Sequence, residues 1–437
     1  MTISARTAIA ARSKTKLTSN QVKGFWAAWG GWTLDGMDSF IYALVLVPAL
    51  RELLPRSGIP ATGANIGYYG GLLFALFLVG WGLAFLWGPV ADKFGRVRTL
   101  VLTILCYSVF TLLGAFATHV WELGIFRLLA GVGIGGEWTL GGTFVAEEWP
   151  EERRKNGAGY MHTGYYFGFF LAALANYTVG ARYGWRAMFA VGGIPAVLVA
   201  FIQFGVMEPK RWQDRMKQLG KKWTAAQAFM ALFSPEYRRR TLVNSALLMI
   251  SMVGLWAGSV YVPSSVTQLA AREGFSDLQG SHMASYATML LSVGTILGCL
   301  ILPKVAEAFG RRITLGFYFV LMFISIALGF GYFFYLAKDA LLWFIVSLFF
   351  LGVGGANFAM YTLWLPEQYR TECRASAFAF ATSVGRFIAA GATLLVGAGV
   401  SHYHTIGKPV ALTSLAFLAG LLLLPLGEET KGKTLPS

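Results

Sequence analysis

Apolar runs of roughly 20 residues, separated by short polar gaps, set the pattern of the chain. They lie at about 24–50, 66–88, 99–118, 122–145, 156–179, 186–206, 242–263, 284–302, 313–336, 341–364, 375–400 and 409–427. A helix of that length crosses the hydrocarbon core of a bilayer, so the pattern predicts an all-α membrane protein with twelve transmembrane helices. The longest polar gap, about Glu208 to Arg240, divides the runs six and six. The expected organisation is a tail at 1–23, a six-helix bundle at 24–207, a loop at 208–240, a second bundle at 241–427 and a tail at 428–437.

The basic residues test that count. With the N-terminus inside, 27 of the 36 lysines and arginines fall in cytoplasmic segments, and seven fall outside: Arg51, Arg56, Arg182, Arg186, Arg272, Lys338 and Lys408. This bias satisfies the positive-inside rule and places both termini in the cytoplasm. Two arginines belong to no loop, Arg127 and Arg386.

The two halves repeat each other. Gly88-Pro-Val-Ala-Asp92-Lys-Phe-Gly95-Arg96 follows the second run, and Pro303-Lys-Val-Ala-Glu307-Ala-Phe-Gly310-Arg311 follows the eighth. Glu147 with Arg154 follows the fourth run, and Glu367 with Arg374 follows the tenth. Offsets of 215 and 220 residues point to a duplicated six-helix unit.

The first of these loops, continued to Arg98, resembles the signature of the major facilitator superfamily. Arg127-Leu-Leu-Ala-Gly131-Val-Gly133-Ile-Gly135-Gly136-Glu137 and the terminal Glu429-Thr430-Lys431-Gly432-Lys433 are similar to its metabolite:proton symporter and sugar porter branches. Asp35-Gly36-Met37-Asp38 with Gly136-Glu137 most resembles the aromatic acid, sialate and lactate-type symporters. Met207-Glu208-Pro209-Lys210-Arg211-Trp212 departs from the sugar porters, as does the lack of Gln-Leu-Ser in the seventh run. The resemblance implies two pseudo-symmetric bundles and alternating access. It also implies a latch at Asp92 and Arg96, and inner gates built by Glu147, Arg154, Glu367 and Arg374.

Five ionisable residues lie deep in the runs: Asp35, Asp38, Arg127, Glu137 and Arg386. Isolated ions there are costly, so they are expected to pair or to change protonation state. Asp38 and Arg127 form the natural pair. The resemblance to proton-coupled sugar symporters implies that this pair couples transport to the proton; the alternative is a static tie between helices one and four. Asp35 lies one turn away, too close for both acids to stay ionised cheaply. Glu137 reads either as a coupling group or as a buried structural carboxyl. Arg386 shares its face with Thr382, Ser383 and Thr393, and no acid falls within runs seven to twelve. A guanidinium so placed suits a ligand carboxylate, or it reaches across to Asp35 or Glu137 as a lock. Tyr42, Tyr165, Tyr166, Asn357, Tyr361 and Trp364 are candidate cavity walls. His162 reads as a proton relay or as a histidine hydrogen-bonded near two tyrosines.

Composition narrows the function. Hydrophobic residues make up 56% and charged ones 13%, about half the charged share of soluble domains. The net charge of +15 sits in membrane-flanking gaps, so it is no nucleic-acid footprint. Three cysteines in or beside apolar runs support neither a disulfide framework nor a metal site, and no cleaved signal peptide is expected. The chain reads as a multi-pass protein of the plasma membrane, the inner membrane if bacterial, working as a monomer. No enzyme motif and no cofactor beyond the coupling proton are expected. The expected partners are the bilayer, a proton and a small organic anion: a monocarboxylate, an aromatic acid or a sialate-like acid. A proton-coupled sugar or polyol symporter and a non-transporting ligand sensor are the alternatives.

Overall fold

The computed structural model describes residues 17–87, 96–136, 138, 149–194, 229–433 and 436. Among these residues all regular structure is helical. Asp92, Glu137, Glu147 and most of the 208–240 loop lie outside the described residues. Arg96 opens a helix and Arg154 stands in the first turn of another.

The helices are α1 (Ser19–Arg56), α2 (Gly63–Gly82), α3 (Arg96–Gly114), α4 (Val120–Ile134), α5 (Glu151–Ala175), α6 (Ala181–Val191), α7 (Arg238–Ser259) and α8 (Val262–Arg272). There follow α9 (Asp277–Phe309), α10 (Arg311–Gly331), α11 (Ala340–Gly355), α12 (Asn357–Trp364), α13 (Thr371–Tyr403), α14 (Gly407–Leu412) and α15 (Leu415–Leu423). Six helical stretches of the described residues are long and apolar enough to cross a membrane: Gly63–Leu86, Asp277–Phe309, Arg311–Tyr335, Ala340–Glu367, Ser376–Tyr403 and Gly407–Leu426. Leu297, Phe317 and Leu422 on their outer faces stay exposed, as a lipid-facing surface requires.

Helix ends reach beyond the apolar runs because polar caps extend them. At the start of α1, Gln21 N donates to Thr18 Oγ1 at 3.3 Å and Thr18 N donates to Gln21 Oε1 at 3.0 Å. Ser276 and Gln279 build the same reciprocal cap before α9. The run at 242–263 is not one straight helix: the chain turns at Val260 and Tyr261 and continues as α8 to Arg272. The run at 341–364 likewise breaks at Ala356, where Asn357 Nδ2 donates to Gly354 O at 2.9 Å.

Small residues bring the helices that carry charge into backbone contact. Gly36 sits between the two aspartates of α1, and a Cβ there would collide with the carbonyl oxygen of Tyr165 on α5. Gly131 meets the Phe77 carbonyl in the same way, drawing α4 onto α2. These two contacts put Asp35 near Tyr165, and Arg127 against Phe77.

The first and second halves of the chain touch at both ends of the bundle. At one end Lys155 Nζ lies 2.9 Å from Glu307 Oε2. At the other, Tyr261 Oη donates to Gly67 O at 2.9 Å and Asn176 Nδ2 donates to Ser285 Oγ at 3.0 Å. Asn176 opens a π-helical turn, Asn176–Gly180, between α5 and α6.

Candidate functional site

Two charged groups lie in the middle of the bundle. In the first, Arg127 Nη1 stands 3.8 Å from Asp38 Oδ2, with side chains 1% and 0% exposed. That separation is an ion pair without a hydrogen bond, and neither group has a hydrogen-bond partner among the described residues. Aromatic rings provide the rest of the cation's surroundings: Arg127 Cζ lies 4.2 Å from the Phe77 ring centre and 5.4 Å from that of Tyr42. Tyr42 is fixed by donating to Gly70 O at 3.2 Å, and Thr111 stands beside Asp38.

The second group centres on Arg386, on α13. Its Cζ lies 4.1 Å from the Trp81 ring centre and 5.5 Å from that of Trp138, and its Nε is buried without a hydrogen-bond partner among the described residues. Asp35 and Tyr165 face it closely enough to act on its charge. Among the described residues the guanidinium rests on indole rings and forms no close carboxylate pair. An arginine held face-on against indoles keeps its edge free to donate in a fork, the geometry that matches a carboxylate.

Aromatic rings close the space around these charges. Trp32 stacks on Trp138 at 5.7 Å and lies 4.6 Å from Tyr165. Trp81, Tyr165 and Phe169 each contact Trp256 of the second half, at 5.6, 6.0 and 6.2 Å. An apolar cavity adjoins this cluster, bordered by Tyr166, Phe169 and Trp256. Trp32 Nε1, Trp81 Nε1 and Tyr165 Oη are buried without hydrogen-bond partners among the described residues.

Several residues expected at the site also make hydrogen bonds within the protein. Tyr361 Oη donates to Leu247 O at 2.7 Å and pairs with Ser251 Oγ at 2.8 Å, so it ties α12 to α7. Thr382 and Thr393 donate to their own helix, to Ala379 O and Ala389 O. Ser383 and Asn357 are buried, with Asn357 Oδ1 unpartnered. Tyr166 Oη donates to Gly355 O at 3.3 Å, across the halves. Trp364 Nε1 donates to Glu428 O and belongs to the C-terminal contact rather than to the cavity. His162 has no hydrogen bond to the neighbouring tyrosines: both ring nitrogens are unpartnered among the described residues.

The gate pairing also differs from the expectation. Among the described residues Glu367 pairs with Arg311, not with Arg374 seven positions on. Arg311 Nε and Nη2 donate to Glu367 Oε2 and Oε1 at 3.0 and 2.8 Å, while Nη1 reaches Glu307 Oε1 at 2.7 Å. Arg374 donates to Pro366 O and Pro436 O. Lys155 joins the cluster across the halves through Glu307. Spacing alone misses this arrangement, because the partners are 56 residues apart and meet only in the packed bundle.

The chain is 29% identical over 423 residues to the probable 4-methylmuconolactone transporter of Cupriavidus pinatubonensis, covering 94% of this chain and 91% of that one. It is 27% identical over 444 residues to the niacin transporter NiaP of Acinetobacter baylyi, covering 94% and 95%. Among solved structures, the proton:xylose symporter XylE bound to 6-bromo-6-deoxy-D-glucose superposes with a TM-score of 0.72 at 20% identity, over 95% of this chain and 98% of that one. The model of the Major Facilitator Superfamily matches residues 28–393. The chain therefore belongs to the Major Facilitator Superfamily, a family of transporters and not of enzymes.

Proposed function

We propose that the protein is a proton-coupled symporter of a small organic anion: a monocarboxylate, an aromatic acid or a sialate-like acid. The observation that carries this reading is the placement of Arg386, deep in the bundle, laid on Trp81 and Trp138 with its Nε unpartnered. A sugar site has no need of such a cation. Relatives named for a muconolactone and for niacin support an acid-type substrate; the likeness to the xylose symporter speaks for the fold alone.

In this reading twelve helices form two six-helix bundles, 24–207 and 241–427, in the plasma membrane with both termini cytoplasmic, and the protein works as a monomer. The substrate carboxylate docks on Arg386, with Tyr42, Tyr165, Tyr166, Asn357, Tyr361, Thr382 and Ser383 shaping the surroundings. The proton is carried by Asp38 or Asp35, with Glu137 in support. Protonating Asp38 frees Arg127, and anion binding offsets Arg386, so less uncompensated charge crosses as the bundles rock. Asp92, Arg96, Glu147, Arg154, Glu367 and Arg374 belong to the inner gates, together with Arg311 and Lys155.

A thermal-shift panel on purified protein tests this, since a ligand that binds the folded state raises its melting temperature. Carboxylates should stabilise the wild type and not Arg386→Ala. Stabilisation by neutral sugars alone would overturn the reading.

A further inference from the structure

His162, on α5, is 3% exposed, and neither of its ring nitrogens has a hydrogen-bond partner among the described residues. Four aromatic rings surround it: Trp138 and Tyr166 at 5.7 Å, Trp32 at 6.3 Å and Phe358 at 6.5 Å. A polar ring sealed among apolar ones carries a desolvation penalty that a ligand group can relieve. Packing alone would be served better by phenylalanine.

Its position relative to Arg386 gives that ligand a direction. The two share the Trp138 indole as a neighbour, 5.5 Å from Arg386 Cζ and 5.7 Å from the His162 ring. The polar groups at the two sides differ in chemistry. Arg386 and Trp81 Nε1, which meet at 4.1 Å between guanidinium carbon and ring centre, can only donate, which matches the oxygens of a carboxylate. An imidazole in its neutral form accepts at one nitrogen and donates at the other, which matches a hydroxyl or a ring nitrogen. A flat acid lying along Trp138 presents its carboxylate to Arg386 and its opposite edge to His162.

We propose that His162 is a specificity-determining residue that hydrogen-bonds a hydroxyl or ring nitrogen on the edge of the substrate remote from its carboxylate. This rests on the reading of Arg386 as the carboxylate site and adds to it a second polar contact. A site with such a contact prefers acids that carry the polar group over those that lack it, because the bare acid leaves His162 buried and unpaired.

The test is the affinity of purified protein for benzoate, 3- and 4-hydroxybenzoate and nicotinate, by calorimetry. The wild type should bind the best of the polar-edged acids about tenfold more tightly than benzoate, the worth of one hydrogen bond. His162→Phe should bring that ratio to about one. His162→Gln, which keeps a donor and an acceptor, should retain most of it and serves as the readout if His162→Phe does not fold. An equal ratio in wild type and His162→Phe, or no preference in the wild type, would overturn the proposal while leaving the carboxylate reading intact. Failure of every acid to bind the wild type would overturn both.

Discussion

Arg127 stands 3.8 Å from Asp38 in full burial, close enough for charge attraction but without a hydrogen bond to hold it. Buried pairs that contribute most to stability are usually bidentate and hydrogen-bonded, as Arg311 and Glu367 are here. The looser pair is the one that a proton can open. Asp38→Asn should lose proton-driven accumulation by more than about tenfold while retaining exchange of substrate down its gradient. Uphill uptake by this variant at the wild-type level would contradict the assignment.

The contact of Gly36 with the Tyr165 carbonyl makes a second prediction. A methyl group added at Gly36 has no space and must push α1 off α5. Gly36→Ala should destabilise the protein by about 1–3 kcal/mol, read as a fall in the melting temperature, and should lower uptake by shifting both aspartates. An unchanged melting temperature would show that the helices are not in contact there.

Asn176 and Ser285 join the two halves at 3.0 Å, at the end opposite the Lys155–Glu307 pair. If the halves rock about a central site, this contact has to break in every cycle. Cross-linking the double variant Asn176→Cys, Ser285→Cys should block transport by more than about 90%, with recovery on reduction. Full transport in the cross-linked state would exclude movement at this contact.

Glu429 gives a pH dependence outside the membrane spans. It accepts from Arg311 N at 2.9 Å, Arg312 N at 3.2 Å and Lys431 N at 3.0 Å. Burial alone would raise its carboxyl, but these donors and the charge of Arg311 hold it below the ordinary glutamate range. A carboxyl lowered by folding contributes stability that is present above its unfolded value and is lost as pH falls through the folded one. The melting temperature should therefore drop as the pH falls below about 4.5, the ordinary glutamate value. Glu429→Gln should flatten that part of the profile, and an identical acid limb in the variant would count against a stabilising role for Glu429.

The charged half of the site was legible in the chain because charge is rare in apolar runs. Asp35, Asp38, Arg127 and Arg386 stand out in a list of apolar residues, and Asp38 and Arg127 meet as their positions suggest. The aromatic half was not legible. Trp81, Trp138 and Trp256 are three of 14 tryptophans, and nothing local separates those that hold a guanidinium from those that face lipid. Trp32 did carry a signal, three residues before Asp35 and so on the same helical face. Helix identity followed from run length, whereas the break at Ala356 and the extension of α8 depend on packing and capping that hydropathy does not report.

Proteoliposomes with an imposed pH gradient, acidic outside, test the central claim most directly. The wild type should accumulate an organic acid and draw protons inward with it, and Arg386→Ala should do neither. Accumulation that ignores the pH gradient, or that Arg386→Ala performs at the wild-type rate, would contradict the account.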